Sequence, residues 1–115
     1  MKLRIWKDNT MIYGANALRM LINDSNSNFM LCSEEKDMNG ISIYQFDILN
    51  LGDNYNSVVM FGKHESGIGF YLREVTKIKN EKFPRQHEFY AYTVKPRILG
   101  NVYQNPKLAG KWWNK

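Results

Sequence analysis

Asp37-Met38-Asn39-Gly40-Ile41-Ser42-Ile43-Tyr44-Gln45-Phe46-Asp47-Ile48-Leu49 is a polar turn that runs into an alternating apolar strand and then meets a second acidic break. Asn39-Gly40 suits a turn needing positive φ, because Gly has no Cβ to clash and Asn tolerates that region better than most residues. Beyond it Ile41, Ile43 and Ile48 are apolar while Ser42, Gln45 and Asp47 are polar. That alternation predicts a half-buried strand with a bend near Phe46-Asp47. A single Asp at a strand bend accepts backbone N–H bonds more often than it performs chemistry, so Asp47 reads first as structural.

Working outward, Leu3 to Trp6 and Met11 to Tyr13 read as two short strands around an Asp8-Asn9 turn, with Trp6 a core or edge anchor. Ala15 to Ile22 is ambiguous. Helical spacing would align Leu18, Leu21 and Ile22, yet the run is short, follows Gly14 and ends in Asn23-Asp24. Residues 24–28 form a polar loop returning into Phe29 to Cys32. On the other side, residues 51–56 are a turn and Ser57 to Gly62 a strand buried on at least one face. Gly67-Ile68-Gly69 has the look of a phosphate loop, but the helix and lysine that such a loop needs do not follow; a glycine kink in a curving sheet is the simpler reading. Phe70 to Arg73 is its hairpin partner, Glu88 to Val94 a later strand, and Gly100 to Pro106 a turn, a short strand and a proline stop.

Three blocks of this chain, in order, resemble the YopX family, small proteins of phages and prophages of low-GC Gram-positive bacteria. The family pattern Asp-x-Asn-Gly-x-x-Ile-Tyr-Glu-Gly-Asp-Ile-Val is matched by Asp37, Asn39, Gly40, Ile43, Tyr44, Asp47 and Ile48. Leu3-Arg4-Ile5-Trp6-Lys7 with Met11-Ile12-Tyr13 resembles the family's Phe-Arg-Ala-Trp-Asp and Lys-Met-Ile-Tyr. Ile98-Leu99-Gly100-Asn101-Val102-Tyr103-Gln104-Asn105-Pro106-Lys107-Leu108 resembles Val-Ile-Gly-Asn-Ile-Tyr-Glu-Asn-Pro-Glu-Leu. The resemblance makes Trp6, Asn39, Gly40, Tyr44, Asp47, Gly100, Asn101, Tyr103, Asn105 and Pro106 the structural signature. Two departures stand out: Gln45-Phe46 replaces Glu-Gly, so the bend is made without glycine or is wider, and Ser33-Glu34-Glu35 replaces Thr-Gly-Leu.

The expected fold is mostly β: a small barrel of the Src-homology-3 type, as the resemblance implies, with extra N-terminal strands. One domain over 1–115 is expected, with a barrel core at about 40–95, chiefly 40–72 closed by a strand from 88–95, N-terminal strands in 1–35 packed on it, and a C-terminal tail at 107–115. The resemblance also tips Ala15 to Ile22 toward a strand. With 115 residues, 43% of them hydrophobic, the chain can build one modest core.

Aromatic residues make up 14% of the chain, which favours β structure. No apolar run approaches a membrane span and the N-terminus lacks a signal-peptide core, so no membrane partner and a host-cell cytoplasmic location are expected. Cys32 is the sole cysteine and lies in an apolar run, which reads as core packing. His64 and His87 lack metal-motif spacing, so neither a metal nor another cofactor is expected. The net charge of +5 is unevenly spread: residues 1–19 carry +3, residues 20–72 carry −5 and residues 73–115 carry +7.

The residues raise no catalytic set, and a non-enzymatic protein is expected. The first functional reading is a phage or prophage protein that binds a host protein, an antiphage-defence component among the possibilities, with Trp112 and Trp113 as interface anchors or, equally, as residues sealing the base of the domain. The second is a nucleic-acid or nucleotide binder, in which Arg73, Lys77, Lys79, Lys82 and Arg85 meet phosphates near Phe83, His87, Tyr90 and Tyr92. A solvated charged hairpin is the plainer account of that segment. A homo-oligomer is expected as well, through free edges at strands 3–6 or 29–32.

Overall fold

The structure, a computed structural model, describes residues 2–23, 28–52, 56–65, 67–77, 79–89 and 95–110. The described chain runs β1 (Leu3–Lys7), β2 (Thr10–Tyr13), α1 (Gly14–Asn23), β3 (Asn28–Lys36), β4 (Ser42–Tyr44), β5 (Asp47–Asn50), β6 (Asn56–His64), β7 (Gly67–Glu74), β8 (Gln86–Glu88), β9 (Arg97–Asn101) and α2 (Pro106–Ala109). The fold is mostly β, as expected, in two antiparallel sheets ordered β2-β1-β3-β4 and β8-β7-β6-β5-β9.

β1 and β2 are joined through Asp8 and Asn9, whose φ angles of 52° and 60° give the two left-handed residues that match a two-residue hairpin loop to strand twist. In antiparallel ladders, residues directly opposite share a face. Ile5 lies opposite both Ile12 and Phe29, whereas Arg4 lies opposite Tyr13 and Met30. α1 covers the first face by packing Ala17, Met20 and Leu21 on Leu3, Ile5 and Ile12. The second face, carrying Arg4 and Trp6, turns toward the five-stranded sheet.

α1 corrects the strand expected at Ala15 to Ile22. Ala15, Ala17, Leu18, Arg19, Met20 and Leu21 are strong helix formers, and positions 17, 20 and 21 give them one apolar stripe to bury. The edge expectation is also overturned: β1 pairs with β2 and β3, and β3 with β1 and β4, so strands 3–6 and 29–32 are interior.

The opening stretch divides at Gln45-Phe46. Ser42–Tyr44 pairs with β3 in one sheet; Asp47–Asn50 pairs with β6 and β9 in the other. Thus residues 40–72 do not all belong to one sheet: the short strand before the bend joins the N-terminal one. Phe46 makes the bend with φ 70°, and its N–H donates to Val59 O at 2.6 Å. Glu34, within the irregular β3–β4 register, has φ 68°. Both positions stand where the sequence pattern carries glycine, so this chain keeps the left-handed backbone and supplies side chains in its place.

The five-stranded sheet is apolar on both faces. Ile43, Leu49, Val59, Leu72 and Phe89 form one buried cluster; Ile48, Val58, Val102 and Ala109 form another. Gly67 and Gly69 sit in β7, paired with β6, so that segment is strand. Of the closing strand expected at 88–95, Glu88 ends β8, which pairs with β7, Phe89 is buried, and residues 90–94 lie outside the described residues.

Candidate binding cleft

Two buried aspartates hold the sheets together. Asp37 Oδ1 accepts N–H bonds from Asn39 and Ile41 at 2.9 Å each, and its Oδ2 accepts from Ile98 of β9 at 3.2 Å. Burial pushes its pKa up, but the N–H donors of Ile41, Ile98 and Asn39 outweigh burial and hold it below the ordinary 3.8. Gly40, at φ +78, closes the turn by donating to Asp37 O at 3.0 Å.

Asp47 makes the second tie. Its Oδ2 accepts the Tyr44 N–H at 2.8 Å, while its Oδ1 accepts from Arg4 Nη2 at 2.8 Å, with side-chain exposures of 5% and 3% for Arg4 and Asp47. Burial raises the Asp47 pKa above its ordinary value despite the opposing Arg4 charge and the Tyr44 N–H. Arg4 Nη2 also donates to Gln45 O at 3.2 Å, and its Nε lies 3.4 Å from Met30 Sδ. The guanidinium carbon sits 4.7 Å from the centre of the Tyr44 ring, which meets Tyr13 edge-on at 5.8 Å. Burial raises the pKa of Tyr44 as well, keeping it a neutral phenol at physiological pH.

Above this pair opens a cleft of about 450 Å³. It is lined by Ser42 and Tyr44 of β4, by Ile98, Gly100 and Asn101 of β9, by Gln104, and by Arg4 and Asp47. Tyr13 and Ile41 also line it and are 53% and 56% exposed. The arrangement is a half-open recess with an apolar rim and a neutralised ion pair at its floor, suited to binding.

The signature residues are largely structural. Trp6 stacks on Tyr103 at 5.9 Å, and Phe46 meets Tyr103 edge-on at 6.0 Å. Asn101 Oδ1 accepts the N–H groups of Tyr103 and Gln104 at 3.1 and 3.0 Å, and Asn105 Oδ1 accepts that of Asn101 at 3.2 Å. Pro106 opens α2.

The basic segment is less concentrated than its sequence. Arg73 lies within β7 and is half-buried; Lys77 and Lys79 are exposed. Lys82 Nζ sits 5.6 Å above its neighbour Phe83, and Arg85 pairs with Glu81 through Nη2 at 2.8 Å and Nε at 3.1 Å. The Arg85 hydrogen bond, chiefly, lowers the Glu81 pKa. His87 Nε2 lies 2.6 Å from Glu74 Oε2. Tyr90, Tyr92, Trp112 and Trp113 lie outside the described residues. Among the described residues no group of three or more His, Cys, Asp or Glu is placed to hold a metal. No helix among them is long and apolar enough to cross a membrane.

Sequence reading missed Arg4 and Tyr13 as cleft residues. The available signal was position: in a strand whose Leu3 and Ile5 face a core, Arg4 must face the other way, and one hairpin turn sets Tyr13 opposite it.

These features define a mostly-β two-sheet domain pinned by buried carboxylates, with a cleft at the junction of the sheets. The chain belongs to the YopX protein family, whose model matches residues 35–109. No curated protein matches the chain. The matched range contains Asp37, Asp47 and the C-terminal asparagine turn; β1, α1 and therefore Arg4 precede it.

Proposed function

We propose that this chain is a non-enzymatic, phage- or prophage-encoded binding protein that acts in the host cytoplasm by docking on a host protein, with antiphage-defence components among the candidate targets. The observation that carries the reading is the cleft rim: Tyr13 and Ile41 expose large apolar surface beside a recess whose charged groups are already paired. Exposed aromatic and aliphatic groups around a neutral recess are the chemistry of a protein interface anchor. Self-association belongs to the same reading, through β2 or β8, each paired on one side among the described residues.

The test is capture of a partner by the intact tagged chain from host extract, identified by mass spectrometry, with Tyr13→Ala and Ile41→Ser variants alongside. A partner retained by the parent and lost by folded variants supports the reading; no protein enriched above a tagged control overturns it. A partner whose binding collapses with modest salt would instead favour the phosphate-binding reading of Lys77, Lys79, Lys82 and Arg85.

A further inference from the structure

Arg4 has donors to spare. An arginine carries five N–H groups. In this chain Nε is directed at Met30 Sδ, and Nη2 serves Gln45 O and Asp47 Oδ1. Nη1 has no acceptor among the described residues. Nor is it sealed away: the fully buried side-chain polar atom without a partner among them is Ser57 Oγ, so Nη1 is not fully enclosed, and Arg4 lines the cleft. A buried side chain thus presents unengaged N–H groups to an accessible recess, where an incoming acceptor can take them.

The charge of the recess selects the acceptor. Asp47 already balances Arg4 and lines the same cleft, so a second carboxylate or phosphate would face an existing anion. An uncharged carbonyl oxygen meets no such opposition. The walls leave the recognition to Arg4: among the described residues β4 pairs with β3 and β9 with β5, and the N–H groups of Tyr44 and Ile98 on these strands already donate to Asp47 and Asp37.

We propose that the cleft binds an uncharged segment of a partner protein, one of whose carbonyl oxygens accepts from Arg4 Nη1 while a neighbouring apolar side chain packs on Tyr13, Ile41 and Ile98. The inference rests on the protein-binding reading and specifies what that partner presents.

The experiment selects binders for the intact chain from a linear dodecapeptide library displayed on phage, then titrates the best synthetic peptide by fluorescence anisotropy and NMR. Selected sequences should be apolar and uncharged over the bound stretch, and binding should move the Arg4 Nη resonances and the Tyr13 and Tyr44 ring signals. Ile41→Ser and Tyr13→Ala, at exposed rim positions, should each weaken binding about tenfold or more, as loss of an anchor does. Ile68→Ser, on β7 and outside the cleft lining, should leave it unchanged. Affinity should vary by no more than about twofold between roughly 0.05 and 0.5 M salt.

Peptides insensitive to the rim variants, or an acidic consensus released by salt, would overturn the proposal. So would Arg4 shifts on titration with adenosine monophosphate but with no peptide, or a library that yields no binder. The capture experiment judges the parent reading separately: a host protein retained equally by parent and rim variants would sink the cleft and leave protein binding standing.

Discussion

Arg4 Nη2 donates to Asp47 Oδ1 at 2.8 Å, a contact that joins the second residue of β1 to the first residue of β5 and so ties the two sheets through a buried charge pair. Removing one partner leaves the other as a largely buried, unpaired charge. Asp47→Ala should cost about 3–5 kcal/mol, because it also orphans the Tyr44 N–H. Replacing both, as Arg4→Met with Asp47→Leu, should cost clearly less than the two single changes added together. Urea denaturation of the four proteins in a double-mutant cycle measures the coupling; additive losses would show that the pair does not hold the junction.

The two aspartates should respond to acid with opposite signs. Asp37 has a depressed pKa, so its contribution is present above its unfolded value near 3.8 and is lost as pH falls through the lower folded value. Asp47 has a raised pKa: the folded state holds its proton more tightly, and the associated stability is present below 3.8 and lost as pH rises through the folded value. Stability of the parent relative to Asp37→Asn should therefore shrink as pH drops below 3.8. Relative to Asp47→Asn, the parent should gain as pH falls from neutral toward 3.8. Difference curves of equal slope would contradict both assignments.

The β-rich fold was legible because the signals are local. Asn39-Gly40 can only sensibly turn, and the alternation after it can only half-bury a strand. What lay beyond sequence was the pairing partner of each strand. Ile41 to Leu49 gives no sign that Ser42–Tyr44 joins one sheet and Asp47–Asn50 the other, since both halves alternate alike. Ala15 to Ile22 held a helical stripe in plain view, but the family resemblance outweighed it. Nothing in the sequence singled out Arg4, because its neutralising partner is 43 residues away.

Glu34 occupies a left-handed conformation at φ 68° while largely exposed, at a position where the sequence pattern has glycine. A Cβ in that region costs about 1 kcal/mol. Glu34→Gly should therefore raise stability by about 0.5–1 kcal/mol, tempered by the greater freedom of glycine in the unfolded chain. Phe46→Gly relieves the same kind of strain but discards the contact with Tyr103, and should lower the melting temperature. Paired thermal melts separate the two; equal shifts would mean that backbone strain is not what distinguishes these sites.

Gly100 is required by its neighbour rather than by its own backbone. A Cβ built there would lie 2.1 Å from Asn105 Oδ1 and 2.6 Å from Asn105 Cγ, far inside contact distance. The Asn105 side chain cannot simply swing aside, because its Oδ1 accepts the Asn101 N–H at 3.2 Å, and Asn101 in turn caps the N–H groups of Tyr103 and Gln104. Gly100→Ala should cost about 1–3 kcal/mol through this overpacking. Asn105→Ala alone should cost about 1 kcal/mol by removing one acceptor. In the double variant the methyl group enters the space that Asn105 leaves, so its loss should fall below the sum of the singles and approach that of Asn105→Ala alone. Thermal unfolding of all four proteins decides it: a Gly100→Ala variant as stable as the parent would show that the Asn101–Asn105 turn yields freely and does not fix the end of β9.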